Sequence, residues 1–166
     1  MTLFVQTDGD YVARFAPAEA AALHRVMVEV VSLLSDGFDR ADPVVERLFP
    51  DVYPDDPAGS TELRRYTDDD LKAGKLDQAG AVLATLPADG GQVRLDAEQA
   101  EAWLRALTDA RLALGLRLDI RDDTDIVEEL DDAVMRDPTS ARVNALSVYE
   151  YLTHVQLSLL EAVVGE

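Results

Sequence analysis

The sequence predicts a mainly α-helical domain of about six helices gathered around a central helix over residues 97–119, with a small β-hairpin at its N-terminus. Two observations carry this. Apolar residues recur at 3.6-residue spacing in several long segments, and those segments are punctuated by Asp-Pro, Gly and Pro at helix-start and helix-stop positions. Near the N-terminus the period changes to two, on either side of an Asp-Gly turn.

The hairpin comes first. Leu3–Thr7 and Tyr11–Phe15 flank Asp8-Gly9, a strong signal for a two-residue turn. A turn there puts Phe4 opposite Ala13 and Gln6 opposite Tyr11, and collects Phe4, Tyr11, Ala13 and Phe15 on one face. Isolated hairpins are marginal, so that face needs something to pack on. A helix follows over 17–35: Pro17 suits a first turn, Leu23, Met27, Val30 and Leu34 form a stripe, and Gly37 sits at the C-terminal cap position. Arg25 and Glu29 are spaced for a surface ion pair. Asp42-Pro43 opens a short helix stopped by Pro50, and the prolines and glycine of 51–59 read as a loop.

Ser60–Tyr66 reads as a turn or two of helix. Thr67-Asp68-Asp69-Asp70 then resembles a capping box for a helix ending near Leu86-Pro87, with Gly74 and Gly80 as places where it could break. After the Asp89-Gly90-Gly91 turn, Gln92–Leu95 suits a short strand, and Asp96 to Gln99 starts the central helix. An amphipathic segment over 125–136 and a last helix from Asp137-Pro138 to Val164, closed by Gly165, complete the chain. There is no internal repeat, low-complexity tract or long linker, so the reading is a single domain over 1–166. A chain of this size buries about 70% of its unfolded surface without a staple.

Composition narrows function more than motifs do. Against 15 basic residues stand 33 acidic ones, a net charge of −18, which repels nucleic-acid backbones and anionic membranes. The absence of cysteine removes disulfides, thiolate metal sites and thiol nucleophiles, and suits a cytoplasmic setting. No apolar run approaches a membrane span, and the first residues lack the pattern of a secretory signal. Nucleophile elbow, phosphate loop and dinucleotide fingerprint are all missing. The eight carboxylates within 119–132 lack calcium-loop spacing, and His24 and His154 lie on separate helices without a ligand pattern. No cofactor, metal or catalytic residue is expected.

Two features interrupt the apolar pattern. Arg111 falls in the middle of the central helix's leucine stripe, with Arg117 at its border. A guanidinium stays charged and is costly to bury alone, so Arg111 calls for a carboxylate partner or a bound anion. The other feature is the stretch containing Arg47, Tyr53, Asp55, Asp56, Arg64, Arg65 and Tyr66. It reads either as an ion-pair network, with Asp55 or Asp56 meeting Arg111 or Arg65, or as a pocket gripping an anion. Thr153 and Gln156 also break the stripe of the last helix, and suit hydrogen bonds in the core or the lining of a small cavity.

Arg47-Leu-Phe-Pro with Tyr53 and Asp55-Asp56, Leu63-Arg64-Arg65-Tyr66-Thr67 with Asp70-Leu71, the Trp103–Leu118 segment, and Tyr151-Leu152 with Gln156 give the chain a resemblance to a known family. It resembles an uncharacterised family of high-GC Gram-positive bacteria, the domain of unknown function DUF2017. Members are often encoded near an adaptor of the Clp protease and near metallopeptidase and sulfur-assimilation genes, and some are labelled transcriptional regulators. The resemblance implies a cytoplasmic accessory role linked to protein turnover, and no catalytic residue. The leading functional expectation is a non-catalytic protein-interaction or regulatory module, its partner another protein or a second copy of the chain. The alternatives are a binder of, or enzyme on, a small anionic ligand, and a transcriptional regulator, which the charge disfavours.

Overall fold

The computed structural model describes residues 3–35, 39, 41–50 and 55–165, without the side chains of residues 57, 60, 61 and 63–66. Strands β1 (Val5–Thr7) and β2 (Asp10–Phe15) form the hairpin. Asp8 and Gly9 both have positive φ, 53° and 85°, the conformation that lets a two-residue turn follow the twist of its strands. Gln6 pairs with Tyr11, the expected register. A third strand, β3 (Gly91–Leu95), pairs antiparallel with β2, so the hairpin sits in a three-stranded sheet of order β1-β2-β3. Gly90 is required just before it: at φ 82°, a Cβ there would lie 2.6 Å from the Phe15 carbonyl oxygen.

Helix α1 (Pro17–Ser35) covers the expected residues, its expected cap Gly37 lying outside the described ones, and α2 (Pro43–Leu48) is capped by Asp42, whose side chain accepts the Val44 N–H. Helix α3 departs from expectation. It runs unbroken from Pro57 to Thr85, with Asp56 as its N-cap and Pro57 in the first turn, so residues 57–59, expected in a loop, and Thr67–Asp70 all lie inside a helix. The physical reason is that Asp-Pro starts a helix as readily as it marks a loop. Gly74 and Gly80 are tolerated in its interior.

Helix α4 (Ala97–Arg117) opens with the Asp96–Gln99 capping box. It closes in a Schellman motif, with Asp119 at φ 57° and Ile120 N–H bonded to the Gly115 carbonyl at 2.8 Å. Helix α5 (Ile126–Arg136) is capped by Asp125. Helix α6 (Ala141–Val164) starts three residues beyond Pro138, at the Ser140 cap, and ends on left-handed Gly165.

Helix α4 is central: it packs on α1, α2, α3, α6 and the sheet. Phe4, just ahead of β1, and Phe15 of β2 meet Trp103 of α4 with ring centroids 5.8 and 5.9 Å away, which is the packing the hairpin face required. Trp103 donates its indole N–H to Thr85 Oγ1 at 2.8 Å, tying α4 to the end of α3. Ser158 of α6 accepts the backbone N–H groups of Leu3 and Phe4 at 2.9 and 2.8 Å, anchoring the chain ahead of β1. Leu118, Ala133 and Leu146 form a smaller cluster under α5. Among the described residues no helix is long and apolar enough to cross a membrane.

Candidate functional site

Helix α4 carries two polar constellations, one facing α6 and one facing α3. On the α6 side, Arg111 Nη1 donates to Gln156 Oε1 at 2.7 Å. The orientation of that amide is fixed from behind. Its Nε2 donates to the Leu104 carbonyl at 3.2 Å and to Thr108 Oγ1 at 2.6 Å, and a carbonyl can only accept. The Thr108 hydroxyl in turn donates to the Leu104 carbonyl at 2.9 Å. Tyr149 lies under the guanidinium, 5.5 Å from ring centroid to Cζ, a cation–π contact. Gly115 makes room for that ring: a Cβ there would be 3.2 Å from Tyr149 Cε2. Arg111 Nε is buried and has no hydrogen-bond partner.

Arg111, Gln156 and Thr108 line a groove of about 700 Å³ between α4 and α6, together with the Glu101 and Arg105 side chains and with Leu104, Leu157 and Leu160 as its apolar walls. On the opposite flank of α4, Lys75 of α3 and Asp109 form an ion pair of 2.8 Å with only 14% and 7% of their side chains exposed. Burial raises the Asp109 pKa above its ordinary value, while the hydrogen bond and charge of Lys75 pull it down. A second groove, of about 430 Å³, opens over this pair and shares Arg105 and Thr108 with the first. Tyr151 on α6 also titrates abnormally. Burial first, and then the Glu19 carboxylate beside it, raises its pKa, and its buried hydroxyl meets no partner in hydrogen-bond geometry.

Of the expected Arg/Tyr/Asp network, the side chains of Arg47, Asp55, Asp56, Arg111 and Arg117 are described. Arg111 meets a neutral amide instead of Asp55 or Asp56, because the α4–α6 contact brings Gln156 to it first. Asp56 is used as the cap of α3, accepting the Gly59 N–H at 3.0 Å, and Asp55 is exposed. Arg47 is exposed on the last turn of α2. Arg117 reaches Glu29 of α1 at 3.8 Å, with both side chains more than half exposed, so Glu29 faces α4. Tyr53 lies outside the described residues, as do the side chains of Arg64, Arg65 and Tyr66, whose backbone is in α3.

The remaining polar residues have local tasks. His24 Nε2 lies 2.8 Å from the Leu86 carbonyl and donates to it, and the His154 ring lies against Tyr151. Asp125 caps α5, and Glu129 pairs with Arg142 at 3.0 Å. Among the described residues no group of three His, Asp or Glu side chains is placed to hold a metal.

A family model described as Domain of unknown function (DUF2017) matches residues 1–163. The chain belongs to this family. Curated relatives include the proteins named oxidative stress regulator AosR in Mycobacterium tuberculosis and Mycobacterium bovis. Each is 30% identical over 138 residues, covering 63% of this chain and 63% of the relative. A relative bearing the AosR name in Mycobacterium leprae is 37% identical over 92 residues, covering 48% of this chain and 42% of its own length. The alignments thus span less than two thirds of these relatives. No solved structure matches this DUF2017 chain.

Within this DUF2017 chain, several residues of the two constellations were not legible as a site. Tyr149, Thr108, Lys75 and Asp109 sit among ordinary helical polar and aromatic positions. Asp109 did carry a signal, since it stands among Ala106, Ala110 and Ala113 on a helix expected to be buried on several sides. Gln156 and Thr153 were legible as interruptions of the α6 stripe, and both the hydrogen-bonding and the cavity-lining roles apply to them.

Proposed function

We propose that the chain is a regulatory module that works by binding another protein, and that the outer face of α5 is its contact surface. The observation that carries this is the apolar strip α5 leaves to solvent. Val127 and Val134, seven residues apart and therefore in line, are 62% and 40% exposed, and Met135 beside them is 85% exposed. Glu128, Asp131 and Asp132 surround the strip. A solvent-facing apolar strip rimmed by carboxylates suits a partner with an apolar face and flanking Lys or Arg. The regulator names of the mycobacterial relatives support the same reading.

The setting follows the composition: a cytoplasmic single domain, with DNA binding disfavoured by a net charge of −18. The link to protein turnover comes from the family resemblance alone. With no cysteine in these 166 residues, a response to oxidants would not pass through a thiol of this chain.

The test is affinity capture of the tagged protein from lysate of its own source, beside a Val134→Asp/Met135→Asp variant. Both positions are exposed, so stability should change by no more than about 0.5 kcal/mol each. A stoichiometric partner recovered with the parent chain and lost with the variant is the expected result. Equal recovery by both would remove α5 from the interface. Steady turnover of a defined substrate, abolished by a point change in the α4–α6 groove, would replace the regulatory reading with an enzymatic one.

A further inference from the structure

The α4–α6 groove holds a cation that nothing charged neutralises. Arg111 contacts a neutral amide and a tyrosine ring, and no carboxylate pairs with it among the described residues. Arg105, the other guanidinium on the wall, is already paired with Glu101 at 2.7 Å. Acidic side chains are plentiful here, yet a half-buried guanidinium is left with positive charge to spare. Gln156 and Tyr149 orient it without discharging it, which is how a binding group is preorganised.

Glu101, Arg105, Thr108 and Thr153 also line the groove, but most of its surface comes from three leucines. Leu157 and Leu160 leave 53% and 44% of their surface to solvent, and Leu104 faces them from α4. A volume of about 700 Å³ falls in the range of metabolite-sized pockets. Apolar walls converging on a few placed polar groups are the usual composition of such pockets. One uncompensated guanidinium matches one negative charge, and the −18 field opposes polyanions, so a phosphorylated ligand fits poorly.

We infer that this groove binds a small carboxylic acid with an apolar tail, its carboxylate on Arg111 and its tail along Leu104, Leu157 and Leu160. The site is independent of the partner surface above, which lies on α5. An acid bound between α4 and α6 is placed to bias the packing of α6, on which α5 rests.

The experiment titrates the full chain at neutral pH with hexanoate, octanoate and decanoate, read by calorimetry and by melting temperature. Octanol and octanamide serve as uncharged controls. Saturable 1:1 binding of at least one acid, with a rise in melting temperature and affinity at least about tenfold above its uncharged analogue, is expected. Arg111→Met should fold and lose that margin. Arg111→Lys keeps the charge but not the planar fork, and should retain part of it. Leu160→Trp, at an exposed position, blocks the groove without touching the core and serves if the Arg111 variants fail to fold. Absence of 1:1 binding across the series, equal binding of acid and alcohol, or unchanged binding by Leu160→Trp would overturn the proposal. So would tighter binding by a peptide ending in a free leucine carboxylate, which would make the ligand a chain terminus.

Discussion

Lys75 and Asp109 show how much a single partner matters in a buried pair. Taking either group from water is costly, and their hydrogen-bonded attraction offsets that cost only while both are present. Lys75→Met leaves Asp109 enclosed beside an apolar side chain, and a loss of about 3–5 kcal/mol is expected at pH 7. The direction of the pH dependence follows from Asp109's raised pKa. A carboxyl whose folded pKa lies above its unfolded value favours folding while protonated, and that contribution is lost as pH rises through the folded pKa. Removing Lys75 takes away the two influences that lower this pKa, so the penalty should be largest at neutral pH and shrink toward pH 4. Urea unfolding of both proteins across that interval measures it, and a penalty that grows on acidification would contradict the account. The sequence exposed Arg111 as a residue in need of company, because a guanidinium in a leucine stripe stands out against its periodicity. It did not identify the company. Which side chain of another helix arrives at 2.7 Å depends on crossing angle and axial offset, and these are properties of packing that no single helix's pattern contains.

At the scale of elements, the glycines of α3 and α4 look alike in sequence and differ in surroundings. A Cβ at Gly74 or Gly80 would meet nothing within 4 Å, and both lie inside a regular helix. Gly74→Ala and Gly80→Ala should each stabilise the protein by about 0.5–1 kcal/mol by reducing the freedom of the unfolded chain. Gly115→Ala should act in the opposite direction, because its Cβ would press on the Tyr149 ring and disturb the support of Arg111. Thermal melts of the three variants check this, and a stabilised Gly115→Ala would mean that α6 yields easily. Element ends were legible wherever one signal stood alone. Asp42-Pro43, the Asp96–Gln99 box and Gly165 mark ends that the structure keeps. They were misread where signals competed. Asp56-Pro57 is both a loop dipeptide and a helix start, and the choice between them is made by the stability of the 29-residue helix that follows. Asp137-Pro138 lost to Ser140 for a similar reason, since Ser140 is the residue whose hydroxyl accepts the Val143 N–H.

For the whole molecule, charge is the property with the widest reach. Ion pairs such as Arg105–Glu101 and Arg121–Asp119 are more than half exposed, and pairs of that kind contribute little in water. Against them stands the mutual repulsion of an 18-charge excess spread over 166 residues, which favours expanded states. Salt screens both effects, but unequally. The pairs that matter most for stability, Lys75–Asp109 above all, are enclosed and screened least, whereas the repulsion acts between exposed carboxylates across distances longer than the screening length of about 8–10 Å. Net repulsion should therefore be the larger loss. The melting temperature is expected to rise by several degrees between about 10 mM and 150 mM sodium chloride, where the screening length falls from roughly 30 Å to 8 Å, and to flatten beyond that. Calorimetric scans at constant pH make the measurement. A melting temperature that falls with salt would show instead that surface ion pairing holds the fold together, and would shift attention to the carboxylate-rich surface as a structural network rather than a solvated one.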